Sequence, residues 1–107
     1  MSNYSRISCT DAQALMQAGH VNIVDIRDGK SFNAGHITDA EHLDNHSVAA
    51  FINDTEHDEP LIVCFYHGNS SQSAGAYLAQ QGFEQVYSLD GGFEEWSKTY
   101  PELCEKE

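Results

Sequence analysis

Short apolar runs alternate with longer stretches of helical period along the whole chain. Ile7 marks a brief first strand. Thr10 opens a Thr-x-x-Gln capping box with Gln13, starting a helix that turns Ala12, Leu15 and Met16 inward and stops at Gly19. Val21 to Ile26 is apolar apart from Asn22 and Asp25, the pattern of a strand covered on both faces. A turn of helix around Ser31 to Ala34, broken at Gly35, leads to another short strand at His42 and Leu43. Ser47 caps a helix through Val48, Phe51 and Ile52, and Pro60 closes the polar loop behind it.

Leu61-Ile62-Val63-Cys64-Phe65 is the most hydrophobic stretch and is predicted to be the central strand. Ser70 to Gln81 reads as a helix with Gly82 at the left-handed position past its end. Val86 to Leu89 is a last strand, Asp90-Gly91-Gly92 a turn, and Phe93 to Lys98 a short helix ended by Pro101. Strands separated by helical crossovers predict an α/β fold with a mostly parallel sheet covered on both faces. Such sheets bind ligands beyond the carboxyl ends of their strands. The strand-to-helix loop from Cys64 to Ser71 is therefore the predicted seat of any chemistry.

A length of 107 residues fits one domain over 1–107, with its core at about 5–100 and loose ends. Seventeen acidic side chains face five basic ones, a formal charge of -12. Nucleic acid and anionic membrane are excluded as partners, because phosphate binding needs clustered Lys and Arg. A small anion would also be repelled at long range, so an anion site must rest on local backbone donors or a local charge. No secretory signal opens the chain, and no apolar run is long enough to span a membrane. Cys9, Cys64 and Cys104 are odd in number and lack metal-ligand spacing. Free thiols in a reducing cytoplasm, with no disulfide framework and no metal, are the expectation.

Within the loop, Gly68 permits a tight curl whose amides converge into an anion nest. The helix beginning near Ser70 adds its positive dipole end to the same spot. A thiol placed there would be held as thiolate, which a nucleophilic cysteine requires.

Three motifs then occur in order. Val24-Asp25-Ile26-Arg27-Asp28 followed by Phe32-x-x-Gly35-His36-Ile37-x-x-Ala40 resembles the amino-terminal signature of rhodanese domains. Tyr66-His67-Gly68-Asn69-Ser70-Ser71 is similar to the active loop of the single-domain members of that family. Val86-Tyr87-Ser88-Leu89-Asp90-Gly91-Gly92-Phe93-x-x-Trp96 resembles the carboxy-terminal signature. The resemblance implies a five-stranded, mostly parallel sheet of order 1-5-4-2-3 flanked by helices on both faces. It implies thiosulfate as sulfur donor, a cysteine persulfide as intermediate, and cyanide or a dithiol protein as acceptor. No metal or organic cofactor is implied, since the loop amides stabilise the anions.

The position matching the family nucleophile, directly before Tyr66, is Phe65, and the cysteine stands one residue earlier at Cys64. Strand alternation predicts that Cys64 points away from the nest and Phe65 into the loop mouth. The competing reading re-registers the strand so that Cys64 heads a longer Cys-x5 loop. That loop resembles those of rhodanese-fold phosphatases and arsenate reductases, whose terminal Arg is here Ser70. Two functional readings follow: a thiosulfate sulfurtransferase, and a catalytically silent module that binds a partner or small anion. A third reading is an alteration of position 65 relative to the parent gene. His67 is a loop residue whose backbone matters more than its ring, and Ser70 and Ser71 are cap and loop donors. Asp25 and Arg27 are expected to pair beside the loop; His36 and Trp96 read as fold determinants.

Overall fold

A computed structural model describes residues 4–67 and 69–106; the side chains of Asn69 and Ser70 are outside the description. Strand β1 (Ser5–Ile7) is followed by helix α1 (Cys9–Ala18), β2 (Asn22–Asp25), α2 (Gly29–Ala34), β3 (His36–Ile37) and β4 (Glu41–His42). Then come α3 (Val48–Asp54), β5 (Leu61–Cys64), α4 (Asn69–Gln80), β6 (Val86–Leu89), α5 (Gly92–Thr99), a 3-10 turn (Pro101–Leu103) and β7 (Cys104–Glu105). Five strands form one sheet in the order β1-β6-β5-β2-β4, all neighbours parallel. Counted among themselves these strands run 1-5-4-2-3, as the resemblance implied. β5 lies at the centre, and all four of its residues are buried.

Alternation along β5 divides the interior. Ile62 and Cys64 join Cys9, Ala12, Ile23, Leu89 and Trp96 on the face covered by α1 and α5. Leu61 and Val63 join Phe51, Leu78, Phe83 and Val86 on the face covered by α3 and α4. A strand covered on both sides must be apolar at every position, which is why β5 shows no polar alternation. Trp96 is fully buried and donates its indole N–H to the Leu103 carbonyl at 3.2 Å. His36, also buried, stacks on Phe32 at 3.8 Å between ring centroids and bonds its carbonyl through Nδ1 at 2.7 Å. Both act as determinants of the fold.

Several local expectations need correction. The cap of α1 is Ser8, whose Oγ accepts from the Asp11 amide at 3.1 Å; Thr10 is already inside the helix. Starting the helix earlier buries Cys9 against the sheet. Ser47 precedes α3 but makes no side-chain cap bond. Ser47 thus holds the cap position without its side-chain bond, while Asp44 closes the turn before the helix, accepting from the amides of His46 at 2.8 Å and Ser47 at 3.0 Å. The carboxy-terminal segment, expected loose, contains β7, which pairs antiparallel with β3 through His36–Glu105 and Ile37–Cys104. Glu105 further holds the Asp39 amide at 3.1 Å.

Gly92 joins the sheet to the loop after β5. It is buried at φ +59°, and a Cβ there would meet the carbonyl oxygens of Phe65 and His67, the latter at 2.6 Å. Replacing it with alanine should cost roughly 2 kcal/mol or more through left-handed strain and displaced loop backbone. Gly19 makes the contrast: its φ of 173° is ordinary extended backbone and nothing approaches a Cβ within 4 Å. Gly19→Ala should be neutral or stabilise by about 0.4–1 kcal/mol. Urea unfolding of the two variants checks both signs.

Candidate functional site

The loop leaves the sheet at Phe65, directly after β5, and re-enters regular structure at Asn69, the first residue of α4. Its near side is held by the start of α5. The Phe93 amide donates to the Phe65 carbonyl at 2.7 Å and the Glu94 amide to the Tyr66 carbonyl at 3.2 Å. First-turn amides have no partner within their own helix, so α5 satisfies its orphan donors on the loop. His67 adds an exposed contact to Glu94, with Nδ1 2.9 Å from Oε2.

The far side is held by Tyr66. Its hydroxyl bonds the Asp28 carboxylate and the Ser31 hydroxyl, the latter at 3.0 Å. Asp28 is the cap of α2, accepting from the Ser31 amide at 3.0 Å. The hydrogen bond from Tyr66, followed by those from Ser31, holds the Asp28 carboxyl well below the usual carboxylate range. Neither Asp28 nor Ser31 was identified from the sequence as a site residue, because Tyr66 lies far from them along the chain. The signal available was the place of Asp28 in the amino-terminal motif, three residues before Ser31, a spacing that suits a helix cap.

Asp25 and Arg27 pair with each other, as expected. Arg27 donates from Nη2 to Asp25 Oδ2 at 2.7 Å and from Nε to Oδ1 at 3.0 Å, with both side chains almost wholly buried. A third donation, from Nη2 to the Gly35 carbonyl at 2.5 Å, completes the fork. Burial alone would lower the guanidinium pKa; the Asp25 hydrogen bond and charge reverse this and raise it. The guanidinium also lies over the Phe93 ring, 4.2 Å from its centroid. The pair thus braces the loop through Phe93 and has no lone charge left for an incoming anion.

Cys64 and Phe65 differ in exposure, although the Cys64 thiol donates to the Phe65 carbonyl at 3.6 Å. Cys64 has no exposed surface and packs with Trp96, Leu89 and Cys9 beneath α5. Burial, and next the Asp25 carboxylate, push its thiol well above the ordinary value, with Arg27 offsetting only part. Phe65 is half-buried, its ring edge-on to Tyr66 at 4.9 Å between centroids. Ser71 is fully buried, and its hydroxyl is 2.7 Å from that of Ser88 on β6, which ties the first turn of α4 to the sheet. Gly68 and the side chains of Asn69 and Ser70 lie outside the described residues, so the amide nest expected there is not described.

Fold and loop together define an α/β domain whose site lies after the central strand, and comparison with known proteins gives this class its name. Residues 8–99 match the Rhodanese-like domain, and the chain belongs to the rhodanese family. It is 60% identical over 101 residues to "Thiosulfate sulfurtransferase GlpE" of Pseudomonas entomophila, covering 94% of this chain and 92% of that one. It is 56% identical over 102 residues to the protein of the same name from Pseudomonas syringae, covering 95% of each. Among solved structures, the rhodanese-like domain of an Anabaena protein superposes with a TM-score of 0.81 at 24% identity, covering 95% of this chain and 79% of that one. That likeness concerns the fold. Among the described residues, no helix is long and apolar enough to cross a membrane.

The thiol environment carries a linkage prediction. Cys9, pushed up to about 11 chiefly by burial, and Cys64 both stay protonated in the fold when the unfolded thiols have ionised. The unfolded state then binds fewer protons than the native one, so stability falls as pH rises above the ordinary thiol pKa. The fall is at most about 1.4 kcal/mol per pH unit for each thiol. Denaturant midpoints measured from pH 8 to 11 should decline less steeply in Cys64→Ala. Iodoacetamide labelling at neutral pH should modify half-buried Cys104 first and Cys64 only after unfolding.

Proposed function

We propose that the chain is built as a thiosulfate sulfurtransferase of the GlpE type, and that Phe65 silences the transfer step while leaving the loop framework in place. The observation that carries this reading is the division of faces at the end of β5: the only thiol near the loop, Cys64, is buried under α5, while position 65 heads the loop. A nucleophilic thiol needs exposure and a depressed pKa. Cys64 has neither. The re-registered Cys-x5 loop finds no support, since Cys64 stays in register opposite Asp25 in the sheet.

In this reading a thiolate at position 65 would attack the outer sulfur of thiosulfate. A bond forms between the two sulfurs, the sulfur–sulfur bond of thiosulfate breaks, and sulfite leaves with the electron pair. Cyanide or a dithiol protein then removes the persulfide sulfur, as thiocyanate or as an acceptor persulfide, and the thiolate returns. Loop residues Tyr66 to Ser71 supply the anion site, and Asp25 and Arg27 hold it rigid from behind. Neither a metal nor an organic cofactor takes part, and the cytoplasm supplies the reducing setting that free thiols need.

A second reading is favoured by one observation. The loop keeps its tethers to α5 and α2 although the nucleophile position is an apolar ring. A silent module that binds a small anion or a partner would look the same.

One substitution separates the two. Phe65→Cys places a thiol at the loop head; a half-buried site should lose less than the ~3–5 kcal/mol of a buried Phe→Ala change. Incubated with thiosulfate, this variant should gain the mass of one sulfur and pass it to cyanide, whereas the parent chain should do neither. A folded Phe65→Cys protein that stays unmodified would favour the silent module. Sulfur transfer by the parent chain that vanishes in Cys64→Ala would overturn both.

A further inference from the structure

A groove of about 800 Å3 runs between the ends of β2 and β4 and the helices α3 and α4. Leu43, Val48, Ala74 and Leu78 form an apolar lining, with Tyr77 as one wall. Tyr77 is 47% exposed, and the described residues hold just one other exposed large hydrophobic side chain, Tyr66. The hydroxyl of Tyr66 bonds Asp28, which itself lines the groove. The exposed aromatic surface therefore converges on this one feature, as it does where proteins dock.

The exposed charges lining the groove have one sign. Asp28 and Asp44 both line it and both lie exposed. Hydrogen bonds keep each ionised, from Tyr66 to Asp28 and chiefly from the His46 amide to Asp44. Arg27 lines the groove too, but its guanidinium is spent on Asp25 and Gly35 with 5% of the side chain exposed. The His42 ring is likewise occupied, with Nε2 2.6 Å from the Arg27 carbonyl and Nδ1 4.0 Å from Asp44. A second copy of this chain is a poor occupant, since each carries a charge of -12.

We propose that this groove docks a partner protein through an extended segment that combines large aliphatic side chains with lysine or arginine. The aliphatic groups fill the lining beside Tyr77, and the cations meet Asp28 and Asp44. Complementary charge would also speed the encounter. Because Asp28 holds Tyr66, the segment lies next to the loop head at position 65. If the chain transfers sulfur, this places the acceptor; the docking itself stands whether or not position 65 carries a thiol.

The test uses the whole chain, labelled with nitrogen-15, and an acetylated, amidated peptide alternating leucine and lysine. Amide shifts should cluster at Val48, Ala74 and Tyr77, and the matching leucine–glutamate peptide should leave them unmoved. In Asp44→Asn combined with Tyr77→Ala, affinity should fall about tenfold or more, the usual loss for an aromatic anchor with its charge. Asparagine keeps the side-chain oxygen that the His46 and Ser47 amides need, and thermal melting checks that the variant is folded. Shifts scattered over the acidic surface and unchanged in the double variant would overturn the proposal. So would equal binding of the glutamate peptide, or a dimer in sedimentation that dissociates in Tyr77→Ala, which would assign the groove to a second copy. Sulfur loading of Phe65→Cys does not use these side chains, so its failure with peptide binding intact would reject the sulfurtransferase reading alone.

Discussion

The buried pair of Asp25 and Arg27 ties together four elements that meet at the carboxyl end of β2. Both side chains are withdrawn from water where β2 ends, and such charges are tolerable only when every donor and acceptor finds a partner. Here they do: the guanidinium serves Asp25 and the Gly35 carbonyl, and the carboxylate also takes the Arg27 amide at 3.0 Å. The Arg27 carbonyl receives His42, and the guanidinium face receives Phe93. Strand β2, the end of α2, strand β4 and the start of α5 are thus fixed relative to one another. Removing either partner would leave a buried charge unpaired, a loss of about 3–5 kcal/mol. The pair is better understood as a geometric brace than as a net source of stability.

From that brace the position of the loop follows. Phe93, held under Arg27, presents its amide to the Phe65 carbonyl, and Gly92 lets the loop backbone come close enough to accept it. Tyr66 then reaches across to the cap of α2. Three elements that meet in the folded state therefore define the path of residues 65 to 67. The backbone at position 65 is held by these contacts and not by the phenylalanine ring, so the path of the loop does not depend on the chemistry of that side chain.

The two faces of β5 have separate consequences. On one, Cys64 is surrounded by apolar groups and a carboxylate, the surroundings that keep a thiol protonated and unreactive. On the other, Leu61 and Val63 pack in the second core with Leu78, which also lines the groove beside Asp28 and Asp44. A single step along the strand moves a side chain from one core to the other, because successive side chains point to opposite faces. The strong negative charge acts over longer distances than any of this. It disfavours anionic macromolecules and self-association, and leaves cationic protein surfaces as the compatible partners.

Much of this was legible in the chain. The apolar runs located the strands of the main sheet, and three ordered motifs implied its strand order. Period-2 alternation separated Cys64 from Val63, and the structure buries them in different cores. A local signal misled at α1, where Ser8 rather than Thr10 is the cap and the earlier start buries Cys9; at α3, Ser47 holds the cap position but its hydroxyl bonds the Asp44 amide of the preceding turn. The pairing of β3 with β7, the bond from Tyr66 to Asp28 and the closeness of Gly92 to the loop left no pattern in the sequence. Those contacts join residues 25 to 70 positions apart, so no local period records them. The sequence by itself determined the elements of the main sheet, the family pattern and the absence of sulfur at position 65; the tertiary structure alone decided the β3–β7 pairing and which distant groups brace the loop, since only chain closure brings them together.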